Sequence, residues 1–183
     1  DTVSDGSFWS EGLHKVLVQA VNDNAQGKIE FKNLLTLVLS LVRFAKLAHY
    51  PTYLKLAFGS RTKKWNKALF FDLLLFDVFE ALSLKSKSDF CYLFLNGFAH
   101  VQHHYYYNSV FYDGKKQKTL PNHFDPLRDA LQVYDKIFKR VLGNNEDVMV
   151  MTGLKQVPYE GEKYYYRLAD HTSFLKKCGL YNF

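Results

Sequence analysis

The stretch 89–107 constrains the fold more than any other part of the chain. It opens with an apolar, aromatic-rich run, Phe90 to Leu95, whose length and composition are typical of a buried β-strand. Asn96 and Gly97 then break the run, because both residues tolerate the positive φ angles at which strands end. Three of the chain's seven histidines follow within five residues. Polar, metal-capable side chains just past a buried strand predict a ligand site at the edge of an open α/β sheet.

The histidines that follow Gly97 have the spacing of a helical metal site. In a helix, His100 and His104 lie one turn apart on one face, with Asn96 one turn earlier. Imidazole is the commonest metal ligand among side chains, and two at this spacing can hold one ion. We therefore predict a divalent metal site, with zinc as the expected ion, formed by His100 with His103 or His104 and by Asn96. The alternative is a polar cluster of hydrogen-bonded histidines and tyrosines.

A third metal ligand is usually required, and sequence distance does not select it. Besides Asn96, the candidates are Asp113, His123, Asp125, Asp135, Asp170 and His171.

Composition indicates one domain with a substantial core, since the chain has 183 residues and a hydrophobic share of 48%. The formal charge of +6 permits an anionic partner but does not require one, because the cations are spread along the chain. Cys91 lies inside the apolar run and is predicted to be a buried, reduced thiol. The longest apolar stretch, Leu34 to Ala48, is interrupted by Arg43 and Lys46 and is too short to cross a bilayer. Without a signal peptide in this sequence, we favour a cytoplasmic protein.

Residues 1–85 are predicted to form a helical region. Apolar residues recur at helical spacing in four segments, Leu13 to Val21, Phe31 to Ala48, Thr52 to Phe58 and Leu69 to Leu82. Between the last two lies a basic segment, residues 61–67, in which Lys63 and Lys64 directly precede Trp65. Such a segment can bind phosphate groups while the indole stacks. The commoner arrangement is a solvated helix start with one anchored aromatic residue.

Residues 86–183 are predicted to form an α/β region. The strand at Phe90 to Leu95 is followed by a long helix, for which Asp125 is the predicted N-cap and Pro126 the first residue. A second apolar strand, Asp147 to Thr152, comes next. A strand, a crossover helix and a strand form a βαβ unit, which implies a parallel pair in a sheet. The tail, Gly161 to Arg167 and then Asp170 to Lys177, is predicted to add a strand and a short helix.

Several of these segments also resemble a known family. Phe94 to Tyr105 resembles the stretch Phe-Leu-Asn-x-x-Ala-His-x-Gln-His-x-Tyr of a branch of bacterial proteins classed with the alkaline phosphatase superfamily. The supporting segments occur in the same order, and the resemblance covers most of the chain. They are Phe71 to Phe79, Asp89-Phe90, Asp125-Pro126, Tyr134-Asp135 and Met151 to Pro158.

The resemblance implies metal-dependent chemistry on phosphate or sulfate esters, including those of small molecules and glycans. Many members carry an Asp-x-x-x-His pair after a strand, and here Asn96 and His100 occupy those positions. Where members have Ser-Asp-His-Gly, this chain has Thr152 to Lys155. We therefore expect a fragment of a metal-dependent hydrolase or transferase that has no hydrolase activity by itself, with Gln102 and Thr152 as ligand-binding residues.

A different class of function is a non-catalytic binding module. Here the tyrosine and histidine surface, together with Lys63 and Lys64, would hold an anionic polymer or a partner protein. Nucleic acid is the less favoured of the anionic partners.

Overall fold

The computed structural model describes residues 31–85, 89–115, 118–143, 147–152 and 168–180, together with Lys15, Gln19, Val157, Tyr159 and Gly161. The elements within these ranges are helices, and none of the described residues lies in a β-strand. The α-helices are α1 (Phe31–Phe44), α2 (Tyr50–Gly59), α3 (Asn66–Ser83), α4 (Gly97–Tyr105), α5 (Pro126–Gly143) and α6 (His171–Lys177). Two 3₁₀ turns, Leu47–His49 and Tyr106–Asn108, precede α2 and follow α4.

Helix α3 is the centre of the described structure. It packs against α1, α2, α4 and α5, and α4 and α5 also pack against each other. Its sequence is apolar on most sides, which is the pattern of a helix surrounded by other elements. Leu69, Leu73 and Leu74 are completely buried, and Val101 of α4 and Ala130 of α5 complete the core beside them.

Helix α5 follows the pattern that its sequence predicts. Leu127, Ala130, Val133 and Ile137 form one buried stripe at helical spacing. The backbone N–H of Arg128 donates to Asp125 Oδ1 at 3.1 Å, which is an N-cap hydrogen bond at the third helical position. The predicted cap and start of this helix are therefore confirmed.

The predicted α/β fold is wrong for the described residues. The stretches 90–95 and 147–152, which were to form the parallel pair of the βαβ unit, have no regular secondary structure. Most of their large apolar side chains face solvent, with Phe90 81% and Met149 82% exposed, while Leu93 and Leu95 are half-buried against the helical core. Apolar and β-branched residues favour a strand only when a neighbouring strand accepts the backbone hydrogen bonds, and the described residues supply none.

Four of the predicted helices are present in the structure. Those at Phe31 to Ala48, Thr52 to Phe58, Leu69 to Leu82 and Asp170 to Lys177 correspond to α1, α2, α3 and α6. The predicted helix at Leu13 to Val21 is described only at Lys15 and Gln19, and both residues are helical. The predicted strand at Gly161 to Arg167 lies outside the described residues apart from Gly161.

Two further expectations concern the cysteines and the membrane. Cys91 is exposed rather than buried, because the segment that carries it is not part of a sheet. Neither Cys91 nor Cys178 forms a disulfide. Among the described helices, none combines the length and the apolar character that crossing a membrane requires.

Candidate functional site

The three histidines lie on α4, so the segment after Gly97 is helical, which is the condition for His100 and His104 to share a face. His100 and His104 are on one face, and their ring centroids are 4.5 Å apart. The ring of His103 is 5.0 Å from that of His104. All three side chains are exposed, so an ion or ligand can reach them from solvent.

The environment of His100 favours its neutral form. Partial burial lowers the pKa of the imidazole below its ordinary value of 6.5, and the neighbouring rings of His104 and His103 lower it further. A neutral imidazole has a nitrogen lone pair that can bind a metal, whereas a protonated one does not.

The start of α4 is held in place by a buried carboxyl group from α3. The backbone N–H of Gly97 donates to Asp72 Oδ2 at 2.8 Å, and the phenol of Tyr134, on α5, donates to the same oxygen. The N–H of Phe98 in turn donates to the Tyr134 hydroxyl at 3.2 Å. Three helices therefore meet in one hydrogen-bonded group at Gly97 and Phe98, within three residues of His100.

Only glycine fits where α4 begins. A Cβ atom added at Gly97 would lie 2.5 Å from Asp72 Oδ2 and 3.1 Å from the backbone oxygen of Ala68. The sequence break at Asn96-Gly97 therefore does not end a strand. It lets the backbone of α4 approach α3 closely enough to be bound by Asp72.

Burial controls the protonation of this group. It raises the pKa of Asp72 above its ordinary value of 3.8, while the hydrogen bonds from Tyr134 and from the backbone of Gly97 and Asn96 act in the opposite direction. The pKa of the Tyr134 phenol is also raised, first by burial and then by the adjacent Asp72 carboxyl. Tyr134 therefore acts as a hydrogen-bond donor to Asp72 throughout the physiological pH range.

The other predicted ligand residues are placed differently from the histidine pair. Asn96 is the exposed residue before α4, and its backbone oxygen accepts the N–H of His100 at 2.9 Å. Gln102 is half-buried and lies two positions from both His100 and His104, so it does not share their face. Thr152 is exposed, and Gly153 to Lys155 lie outside the described residues.

A complete metal site does not form within the described part of the chain. No three side chains of histidine, cysteine, aspartate or glutamate come together there in a way that would hold an ion. The six sequence candidates for a third ligand are thus not brought to the histidine pair. His100 and His104 are suited to supply two ligands, and Asn96 one turn earlier carries an amide oxygen of the kind that hard cations accept.

The basic segment is a helix start with one anchored aromatic residue, rather than a site that binds phosphate groups. Lys63 Nζ lies 2.8 Å from Asp129 Oδ2 on α5. Trp65 is 1% exposed, and its indole N–H donates to the same oxygen at 3.0 Å. The indole is therefore unavailable for stacking on a ligand, and the Lys63 charge has an internal partner. Lys64 is exposed.

Sequence reasoning missed two groups of buried polar residues. One is the Asp72 and Tyr134 group, and the other joins Asp77 of α3 to His49 and Tyr53. A signal was available, because Asp72 and Asp77 interrupt an otherwise apolar helix. A carboxyl group in such a position must be buried and needs hydrogen-bond donors, although the sequence does not show which residues provide them.

Comparison of the chain with known protein families, with curated proteins and with solved structures gave no match.

Proposed function

We propose that this chain contributes the metal-binding histidines of a hydrolase or transferase that acts on phosphate or sulfate esters. The observation that carries the proposal is the pair of imidazoles, 4.5 Å apart on the exposed face of α4. The lowered pKa of His100 supports it, since the ring is neutral and able to bind an ion at neutral pH. The class of reaction comes from the resemblance of Phe94 to Tyr105 to the alkaline phosphatase superfamily.

The residues of the chain have distinct parts in this proposal. His100 and His104 would hold a divalent ion such as zinc, and Asn96 would orient it or a water bound to it. The ion would supply Lewis-acid polarisation of the ester oxygen and a more acidic water. Asp72 and Tyr134 are positioning residues, because they hold the first turn of α4 through Gly97 and Phe98.

The chain by itself is not expected to hydrolyse an ester. An amide at Asn96 stands where the family has a charged ligand, so an ion held here loses one anionic partner. With two imidazoles and one amide, the ion would be held less firmly than by the three or four charged or imidazole ligands of typical catalytic sites. Metal binding without turnover is therefore the expected behaviour.

Zinc titration by calorimetry tests the metal site directly. We expect one ion per chain, with affinity lowered by about tenfold or more in His100→Ala and in His104→Ala. His171→Ala is the matched control, because His171 is also an exposed histidine on a helix but has no second histidine one turn away. The binding should weaken as the pH falls through the pKa of His100, which lies below 6.5, because protons then compete for the ring.

Two results would contradict the proposal. One is the absence of a stoichiometric ion in the unmodified chain, and the other is equal affinity in the unmodified chain and His100→Ala. The reaction class is tested separately. In that test, a phosphate or sulfate ester should bind to the zinc-loaded chain, and a neutral carboxylate ester of the same leaving group should not.

A further inference from the structure

Helix α1 exposes an apolar stripe on the side that faces away from the core. Its buried residues, Asn33, Leu37, Ser40 and Phe44, lie along one face and pack toward α3. The opposite face carries large apolar side chains at spacings of three, four, seven and eight residues, which is the pattern of one continuous stripe. These side chains are between 47% and 79% exposed and belong to Phe31, Leu34, Leu35, Val38, Leu39 and Val42.

The apolar exposure continues into the next elements. Leu47, in the 3₁₀ turn after α1, is 88% exposed. On α2, Leu54 and Phe58 lie one turn apart and are also exposed. Exposed apolar surface of this extent is typical of a site that binds a protein, a membrane or a ligand.

Although the cations are spread along the chain, this part of it contains no acidic residue to balance them. Residues 31–71 contain eight lysines and arginines and neither aspartate nor glutamate, which gives a formal charge of +8. The whole chain has +6, so the remaining residues together carry −2. Lys46 and Lys63 pair with Glu80 and Asp129. Arg43, Lys55, Arg61 and Lys64 are exposed on the surface.

We propose that α1 and α2 dock on the surface of an anionic lipid bilayer. A helix with an apolar stripe and flanking cations lies in the plane of the bilayer, with the stripe below the head groups and the cations near the phosphates. On α1, Lys32 and Arg43 lie beside the stripe rather than within it. The helices need not cross the membrane for this mode of binding.

The charge and the apolar stripe argue against two other occupants of this surface, a second copy of the chain and nucleic acid. A second copy of this surface would bring two strongly positive regions into contact, and their repulsion opposes a dimer. Nucleic acid would satisfy the cations, but its phosphate backbone offers no partner to the aliphatic side chains of α1. An anionic bilayer offers phosphates to the cations and acyl chains to the apolar side chains of α1.

The docking surface is separate from the histidine site. Helices α1 and α4 both pack on α3, so a bilayer bound at α1 would lie at a fixed distance from the histidines. The docking proposal does not depend on metal binding, and either can fail without the other.

Vesicle sedimentation with the full chain tests the proposal. We expect binding to phosphatidylcholine vesicles that contain roughly three-tenths phosphatidylserine, and much weaker binding to pure phosphatidylcholine. Val38→Asn/Val42→Asn should lower the partition coefficient on the order of tenfold, because two apolar side chains are removed from the exposed stripe that the bilayer would cover. Arg43→Gln/Lys55→Gln should lower it by a similar factor on the anionic vesicles only.

Met149→Asn/Met151→Asn is the matched control, since both methionines are highly exposed but lie outside the cationic segment. Its binding should equal that of the unmodified chain. No sedimentation with anionic vesicles would overturn the proposal, and so would equal binding of Val38→Asn/Val42→Asn. Binding to duplex DNA in place of vesicles, or a dimer that Val38→Asn/Val42→Asn dissociates, would also overturn it by assigning the surface to another occupant.

Discussion

Asp77 shows how a single charged residue is accommodated inside the helical core. Its side chain is completely buried, yet its carboxyl oxygens have three partners within 3.1 Å. These are the backbone N–H of Lys46, the Nδ1 atom of His49 and the hydroxyl of Tyr53. Burial and the adjacent carboxyl raise the pKa of Tyr53, so its hydroxyl stays protonated as a donor. The group joins the turn before α2 to the centre of α3.

Removing that carboxyl group should destabilise the protein strongly. Asp77→Ala leaves two buried donors and a buried imidazole without their partner, and we expect the free energy of unfolding to fall by about 3–5 kcal/mol. Urea unfolding followed by circular dichroism measures the change. Asp135→Ala, an exposed aspartate on α5, should change it by less than about 0.5 kcal/mol. A loss below about 1 kcal/mol in Asp77→Ala would show that the network is not needed.

At the scale of elements, the position of α4 depends on groups from two other helices. Asp72 of α3 binds the first amide of α4, and Tyr134 of α5 binds both Asp72 and the second amide. Edge-to-face packing of Phe98 against Tyr134, with centroids 5.4 Å apart, adds an apolar contact at the same place. The histidine pair is therefore presented by a helix whose first turn is fixed.

Amide hydrogen exchange can separate the contributions of Asp72 and Tyr134 to the position of α4. In Asp72→Ala, exchange at Gly97 and in the first turn of α4 should be roughly tenfold faster, since a hydrogen bond to a buried carboxyl group is lost. In Tyr134→Phe, Phe98 alone loses its acceptor, so the increase should be confined to that amide. Unchanged exchange in α4 of Asp72→Ala would contradict the positioning role. The zinc affinity of Asp72→Ala should also fall, whereas that of Asp135→Ala should not.

At the scale of the whole molecule, Trp65 joins parts of the chain that are distant in sequence. Its ring packs edge-on against Tyr105 at the end of α4 and against Phe124 before α5, at 5.2 and 5.7 Å. Its N–H binds Asp129 of α5. One side chain at the start of α3 thus contacts two other helical regions.

Trp65→Ala should therefore lower the stability of the entire described core. We expect a loss of about 3–5 kcal/mol in the free energy of unfolding, because a large buried ring leaves a cavity and Asp129 loses a donor. The neighbouring Lys64→Ala is the control and should stay within about 0.5 kcal/mol. Both are measured by urea unfolding. Equal midpoints for the two variants would show that Trp65 does not link these regions.

The success of the sequence predictions depended on the range of the interactions involved. Helices α1, α2, α3 and α5 were predictable because apolar spacing, a cap at Asp125 and a proline at position 126 all act over a few residues. The strands at 90–95 and 147–152 were not, because a strand needs a partner strand whose position the local sequence does not specify. The same limit applied to Cys91, which was placed in a sheet that the described residues do not form.

The sequence by itself determined that His100 and His104 would share a face if the segment after Gly97 were helical, because a separation of four residues is one helical turn. It also determined the cationic character of residues 31–71. Tertiary structure decided the rest. It brought Asp72 within hydrogen-bonding distance of Gly97 and Tyr134, buried Trp65 against Asp129 and left the stripe on α1 exposed. Each of these features depends on contacts between residues that are far apart in the chain.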